Sequence, residues 1–438
     1  MARVFISFLG TNDYLPCTYF KDDKQVLNVR FVQEATLTLF CREWTSDDRI
    51  LIFTTTESYK KNWLDNGHID RETDSALDRK GLARCIDDLE LLPGIKSVPI
   101  PDGKNEDEIW EIFNEIFACL NEGDDLLFDI THAFRSIPML AMVILNYAKV
   151  MRGISLIGIY YGAFEVLGSQ YETPAIPLEN RLVPVFDLTV YDVLLDWAIA
   201  IDRFLGTGDA VPVCKLADKA VRPILKSTNG SDDTAVSIRR IAAGLEKFSK
   251  AVSTCRGREI SNRITFLKKE IMKCDNLSKI QPFRPIFERI KEQIDRFNGN
   301  AIPEGIQAAG WCLDHNLIQQ GYTILEETII SYFVLKIGED PEDFGNNNRE
   351  IATQALHIYN KGLDESKWKT PAKDYPEVTK RFVTFYQAQG SLAKIFNDIA
   401  DFRNDLNHAG YKANAMNANK FKINLSKLLN TVEQHIEV

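Results

Sequence analysis

The first 190 residues alternate short, nearly continuous apolar runs with longer stretches of helical spacing, and this alternation restricts the fold more than any other feature of the chain. The runs are RVFISFL (3–9), RILIFTT (49–55), IKSVPI (95–100), DLLFDI (125–130) and ISLIGIYY (154–161). A strand that is apolar along its whole length is covered on both faces, as parallel strands between two helical layers are. Between the runs, residues 31–44, 75–92, 106–121 and 137–151 carry apolar residues at helical spacing. Ile109, Ile112, Phe113, Ile116, Phe117 and Leu120 are an example. The pattern predicts a doubly wound α/β domain over residues 1–189. CTYF (17–20) and VLNVRF (26–31), parted by KDDKQ, read as an inserted hairpin.

After Pro184 the strand signal fades. Residues 190–205, 234–255, 259–274, 303–319, 321–337, 391–407 and 418–436 read as helices separated by Gly-, Asn- and Pro-containing breakers. The expected organisation is therefore an α/β domain (1–189), a helical connector or insert (190–300) and an all-α domain (301–438).

Charge follows this division. The 438 residues carry a net −10, which speaks against a histone-like coat on nucleic acid. Residues 1–200 hold 18 Lys+Arg against 32 Asp+Glu, whereas residues 201–438 hold 34 against 30. Residues 201–300, with 20 basic and 12 acidic side chains, supply the positive surplus. The eight cysteines are too widely spaced for a zinc knuckle or ribbon, so no structural metal is expected. The longest apolar stretch, Ile137 to Ala148, falls well short of the roughly 20 residues that span a bilayer. Arg3 leads straight into a strand-like run rather than an export leader. The expectation is a soluble, reduced, cytoplasmic protein with no membrane partner.

Three constellations could carry chemistry. Gly10-Thr11-Asn12-Asp13-Tyr14 stands where the first strand ends, and ligands of open parallel sheets collect beyond such ends. The loop is neither a GxGxxG nor a Walker A motif, and its residues are also ordinary turn formers. The second is Asp129-Ile130-Thr131-His132-Ala133-Phe134-Arg135-Ser136-Ile137-Pro138. There Thr131, His132 and Arg135 would gather at a strand end and a helix N-terminus, a place that favours an anion. Two polar loops at neighbouring strand ends point to a nucleotide or another phosphate ligand. The third is Arg403-Asn404-Asp405-Leu406-Asn407-His408, the one Arg-x4-His match in the sequence. About 0.3 such matches arise by chance in a chain of this composition, so the spacing alone is weak. Its chemistry needs no metal: a histidine can move a proton to or from a ribose oxygen while an arginine stabilises charge on phosphorus.

The runs VFISFLGTNDY, FDITHAFRSIP, DLTVYDVLLDWAIAIDRFLGTGDA and RNDLNHAG, in that order, resemble the two-domain CRISPR-associated proteins of type III systems. In that family a Rossmann-like CARF domain precedes a HEPN ribonuclease domain. Residues 210–300 match none of its blocks and read as the helical insert. The resemblance implies a homodimer, or a higher assembly of dimers, whose CARF domains bind a cyclic oligoadenylate as allosteric activator. Cyclic tetra-adenylate is the favoured ring on family frequency. Gly10, Thr11, Asn12 and Asp13, with Thr131, His132 and Arg135, fall on the two ligand-facing loops. Arg403, Asn404 and His408 fit the HEPN motif of Arg, a polar residue, three variable positions and His. The resemblance assigns Arg403 to phosphate stabilisation, His408 to proton transfer or phosphate positioning, and Asn404 to support. Two such sets would meet across the dimer to cleave single-stranded RNA without metal or other cofactor, leaving a cyclic phosphate and a 5′-hydroxyl.

Arg403 and His408, five residues apart, would stand about 140° apart around a continuous helix. Either the helix ends near Asn407 and His408 turns inward, or the partner chain completes the site. Two rival readings remain open on sequence. One is a ligand-sensing regulator without nuclease activity. The other is a ring nuclease that degrades its own activator with Thr11, Thr131 and His132.

Overall fold

The computed structural model describes residues 2–70, 73–132, 137–169, 172–273, 284–297, 301–411 and 413–436. The chain divides into two units, Met1–Leu194 and Leu195–Val438. The first is an α/β unit and the second is mostly helical.

The strands of the first unit are β1 (Arg3–Leu9), β2 (Cys17–Lys21), β3 (Lys24–Val29), β4 (Arg49–Thr54), β5 (Gly94–Pro99), β6 (Asp125–Asp129), β7 (Ser155–Gly162) and β8 (Leu182–Asp187). They form one sheet in the order β3-β2-β8-β7-β6-β1-β4-β5. The five strands read from continuous apolar runs are mutually parallel, from β7 through β6, β1 and β4 to β5. Alternate residues of β1 enter two cores. Val4, Ile6 and Phe8 pack with Ile112, Ile116, Ile144 and Ala148 on one face. Phe5 and Leu9 pack with Phe31, Val32, Ala35, Leu82 and Ile86 on the other. The first set belongs to helices α4 (Glu106–Ala118) and α5 (Ile137–Arg152). The second lies on and beside α1 (Val32–Phe40) and α3 (Leu82–Asp87). Burial on both faces is why β1, β4 and β6 carry no polar alternation, whereas β5 at the sheet edge exposes Lys96.

Three local features differ from the sequence expectation. LVPVFD forms β8, antiparallel to β7 and parallel to β2, so the sheet is mixed. Val183 and Val185 are buried while Leu182 and Phe186 face out, and the central Pro184 hides the strand from a propensity reading. The helix expected over 75–92 forms only as α3, entered through Gly81 as N-cap. Residues after β4 make an unforeseen short turn, α2 (Thr56–Ser58), that runs into a π-helical turn at Tyr59–Trp63.

A buried ion pair fastens the amino end of the sheet. Asp48 accepts hydrogen bonds from the Arg3 N–H (2.7 Å), the Arg3 guanidinium (2.6 and 3.1 Å) and the Thr45 N–H (2.7 Å). Burial alone would raise this carboxyl, but these donors outweigh it and hold the group down at about 2. Because the folded value lies below the unfolded one, the stabilisation is complete above about pH 4 and disappears as pH falls through about 2. It amounts to roughly 2 kcal/mol. Acid titration of unfolding free energy should show this loss in the wild-type chain and not in Asp48→Asn, which should already be weaker at neutral pH.

The second unit comprises α6 (Thr189–Thr207, begun in the first unit), α7 (Val211–Ser227), α8 (Asp233–Ser253), α9 (Gly257–Lys273), α10 (Arg284–Asp295) and α11 (Ala301–Asp314). It continues through α12 (Ile318–Lys336), α13 (Asn348–Lys361), α14 (Pro376–Ala388), α15 (Gly390–Asn407) and α16 (Ala418–His435). Helices α7, α10, α13 and α14 were not expected. Two prolines disguise α7, with Pro212 in its first turn, where proline is tolerated, and Pro223 inside. One hydrophobic core runs from Trp197 to Ile436. Trp311 of α11 packs against Phe204 (5.8 Å between ring centroids), Phe248 (5.2 Å) and Phe297 (6.4 Å), so residues 195–297 share that core with the helices that follow. Among the described residues no helix is long and apolar enough to cross a membrane.

Candidate functional site

Strand order reverses at β1, whose neighbours are β4 on one side and β6 on the other. Open parallel sheets bind ligands in the crevice beyond the carboxyl ends of strands at such a switch point. The loops at Gly10–Tyr14 and Ile130–His132 follow these two strands. Ser7 of β1 and Asp129 of β6 are register partners, and the Ser7 hydroxyl donates to the Asp129 carboxylate at 2.8 Å. Gln33 of α1 donates in turn to the Ser7 oxygen (3.0 Å) and to the Phe8 carbonyl (2.9 Å).

Asp129 is fully buried, and its remaining partners are the N–H (3.1 Å) and hydroxyl (2.6 Å) of Thr131. Burial raises its carboxyl above the usual range, and these hydrogen bonds oppose the rise. The Thr131 oxygen also accepts the Gly162 N–H of β7 at 2.8 Å. Thr131 therefore braces three strand ends rather than presenting a hydroxyl to the crevice.

His132 and Gly10 bring the two loops together. The His132 ring lies against Tyr14 at 4.2 Å between centroids, and a Cβ added to Gly10 would collide with the Tyr14 hydroxyl and sit 3.7 Å from the His132 Cβ. Glycine is required here by close approach rather than by backbone angle. The His132 Nε2 is buried with no hydrogen-bond partner among the described residues. Burial pushes this imidazole down to about 4, so it is neutral near pH 7 and supplies no cationic charge. The unfolded chain takes up a proton near the ordinary histidine value that the folded chain refuses. Stability is thus complete above about pH 6.5 and falls as pH drops toward 4, by roughly 3 kcal/mol in all. Urea unfolding at pH 7 and pH 5 should show this loss in wild type and much less of it in His132→Phe, which keeps a ring against Tyr14.

Asn12 is exposed and Thr11 half-buried, while Asp13 pairs with Arg30 (3.1 Å) and Arg79 (3.5 Å). Arg135 lies outside the described residues. The loop depends on residues that sequence reading passed over. Asn62, on the π-helical turn, is fully buried and donates to the carbonyls of Gly10 and Asn12, both at 2.9 Å. Arg30 donates to the Tyr14 carbonyl at 3.1 Å and to the Asn62 oxygen at 3.2 Å. In sequence Arg30 ends a polar hairpin and Asn62 sits in KKNWLDN, and neither context signals burial.

In the helical unit, α15 ends at Asn407 and His408 is its C-cap, its N–H bonded to the Asn404 carbonyl at 3.0 Å. Positive φ at Ala409 (50°) and Gly410 (76°) then turns the chain away. The helix thus ends where the spacing argument required, but His408 is exposed rather than turned inward, and Asn404 is exposed as well. Asp405 is buried and anchors the following loop by accepting the Met416 N–H at 2.7 Å.

Arg403 is held by a residue that sequence reading did not find. Glu326 of α12, buried to 3% exposure, accepts the Arg403 Nε and Nη2 at 2.5 and 2.9 Å. Burial raises the Glu326 carboxyl and the guanidinium opposes the rise. The pair uses two of five guanidinium N–H donors, which leaves three on a side chain that is 31% exposed. Gln319, two turns before Glu326 on α12, bonds Asn407 at 3.0 Å. One helix face therefore fixes both the arginine and the end of α15. No hydrogen bond joins Arg403 to His408 among the described residues. The chemistry available is that of an oriented guanidinium and an exposed imidazole on one helix end, suited to a phosphate.

CRISPR-associated protein MJ1674 of Methanocaldococcus jannaschii is 24% identical to this chain over 321 residues, which is 72% of the chain. The likeness is to a CRISPR-associated protein. The chain spans 42% of that relative's own length. A family model described as "CRISPR-associated protein MJ1674, second domain" matches residues 193–301. Residues 210–300, which carried no recognisable motif, lie within the span that this model matches.

Proposed function

We propose that this chain is a CRISPR-associated, metal-independent endoribonuclease of the CARF–HEPN type, activated by a cyclic oligoadenylate. The observation that carries the reading is Arg403, oriented by a buried carboxylate with three donors to spare, on the helix that the exposed His408 caps. Arginine held in this way can meet two phosphate oxygens without losing its geometry.

In the proposed reaction the ribose 2′-hydroxyl loses its proton and its oxygen bonds to the adjacent phosphorus. The bond to the 5′-oxygen breaks, that oxygen takes up a proton, and the products are a cyclic phosphate and a 5′-hydroxyl. Arg403 stabilises charge on the phosphoryl oxygens, His408 moves a proton or positions the phosphate, and Asn404 supports them. Among the described residues no hydrogen bond joins Arg403 to His408 within one chain, and in this reading two copies complete the site. The exposed apolar stripe Val143, Tyr147, Val150 and Met151 on α5 is surface of the kind that a second copy covers.

The crevice between β1 and β6 is the proposed activator site, with Gly10, Thr11 and Asn12 facing the ring and cyclic tetra-adenylate as the favoured ligand. The ring must bind the cleavage-competent arrangement more tightly than the resting one. Calorimetric titration of the full chain with cyclic tri-, tetra- and hexa-adenylate tests this assignment. Saturable binding of one ring is expected, and binding of none would overturn it.

A further inference from the structure

The loop after β1 has a defined polarity. Asn62 Nδ2 lies 2.9 Å from the carbonyl oxygens of both Gly10 and Asn12, and Arg30 Nε lies 3.1 Å from that of Tyr14. The Asn62 amide cannot be turned round, because its oxygen accepts from the Arg30 Nη2 (3.2 Å) and also meets the His68 Nε2 (2.9 Å). An arginine can only donate, so the atom facing it is oxygen and the atom facing the loop is the NH2 group. Asn62 itself is fully buried, so its amide is committed to these partners. Its position on a π-helical turn is an arrangement that recurs at functional sites.

Across a trans peptide the C=O of one residue and the N–H of the next point in opposite directions. Drawing the carbonyls of residues 10, 12 and 14 toward Asn62 and Arg30 turns the N–H groups of Thr11, Asp13 and Leu15 to the other side of the loop. The Asp13 carboxylate, the one negative side chain of the loop, is held by Arg30 and Arg79. An acidic domain can in this way offer a phosphate a face of amide N–H groups without a surplus of lysine and arginine.

We infer that Asn62, oriented by Arg30, is the positioning residue of the activator site: it takes the carbonyls of the β1 loop inward and so presents the loop's N–H groups to a phosphodiester. The inference rests on the reading of this crevice as the cyclic oligoadenylate site, and adds what makes its loop an anion receptor.

Asn62→Asp tests it in the full chain. The aspartate keeps an acceptor for Arg30 and His68, so the side of the network that faces the rest of the domain stays satisfied. Its second oxygen faces the Gly10 and Asn12 carbonyls and repels them. Affinity for cyclic tetra-adenylate should fall about tenfold or more. The ring concentration giving half-maximal RNA cleavage should rise by the same factor, with the rate at saturating ring unchanged, a split that general destabilisation would not give. Inorganic tripolyphosphate serves as a second, ring-free probe. If wild type binds tripolyphosphate but no ring, and Asn62→Asp abolishes that binding, the loop polarity stands and the cyclic ligand is wrong. If Asn62→Asp binds ring or tripolyphosphate within about twofold of wild type, or if wild type binds neither probe, the inference is overturned.

Discussion

Arg403→Ala is expected to lower ring-stimulated cleavage of single-stranded RNA by about a thousandfold, the scale on which removing a group that stabilises developing charge acts. Two effects would combine. The guanidinium that meets the phosphate disappears, and Glu326, 3% exposed, loses the partner that offsets its burial. The orphaned carboxylate costs about 3 kcal/mol unless it takes up a proton, so stability must be measured alongside activity. Arg403→Lys separates the two. Lysine keeps a positive charge beside Glu326 and should keep most of the stability, yet it lacks the planar fork that can hold Glu326 and a phosphate together. Most of the activity should still be lost. His408→Ala is the cleaner counterpart, because the imidazole is exposed at the end of α15 and its removal should leave the unfolding midpoint unchanged. Cyclic oligoadenylate affinity, set in the other unit, should remain near wild type in all three variants.

A large stability effect is expected at Asp129. Its carboxylate joins β1 through Ser7 and fixes Thr131, which in turn holds the Gly162 N–H of β7. Asp129→Ala removes the acceptor that the Ser7 hydroxyl and the hydroxyl and N–H of Thr131 share and should cost about 3 kcal/mol. Asp129→Asn should cost less than about 1 kcal/mol. The amide oxygen can still accept from Thr131, and its NH2 group can donate to the Ser7 oxygen while that hydroxyl turns to the Phe8 carbonyl, 3.4 Å away. The pH dependence has a definite sign. Burial raises the Asp129 carboxyl, so its protonated form is favoured by folding, and its contribution declines as pH rises through the raised value. Denaturant unfolding of wild type and both variants at neutral pH should show Asp129→Asn close to wild type and Asp129→Ala well below it. Equal losses for Ala and Asn would mean that the hydrogen-bond bridge is not what Asp129 provides.

What could be read from sequence follows from which physical signals are local. The central strands β1, β4 and β6 were legible because burial on both faces leaves them almost wholly apolar, and β5 and β7 because they keep short apolar runs beside them. β8 was not, because Pro184 and the outward Leu182 and Phe186 break that pattern. Helix α7 hid behind two prolines. At the crevice beyond β1 and β6, the loop residues stood out as turn formers at a strand end. Asn62 and Arg30, which determine how that loop faces, are polar residues whose burial arises only when distant segments meet. Glu326 is the same case: it lies 77 residues from Arg403 and is one acidic residue of an EE pair in α12. Its neighbour Glu327 pairs with Arg349 instead. Spacing showed where α15 should end, yet not that His408 would stay exposed, since side-chain direction at a helix terminus depends on the turn that follows.

The most direct test of the account is incubation of end-labelled single-stranded RNA with the full chain in EDTA, with and without cyclic tri-, tetra- and hexa-adenylate, for wild type and His408→Ala. One ring, with cyclic tetra-adenylate favoured, should stimulate cleavage by wild type in EDTA. Fragments should end in a cyclic phosphate, and His408→Ala should be inactive. Absence of stimulation by every ring, or cleavage by His408→Ala at the wild-type rate, would contradict it.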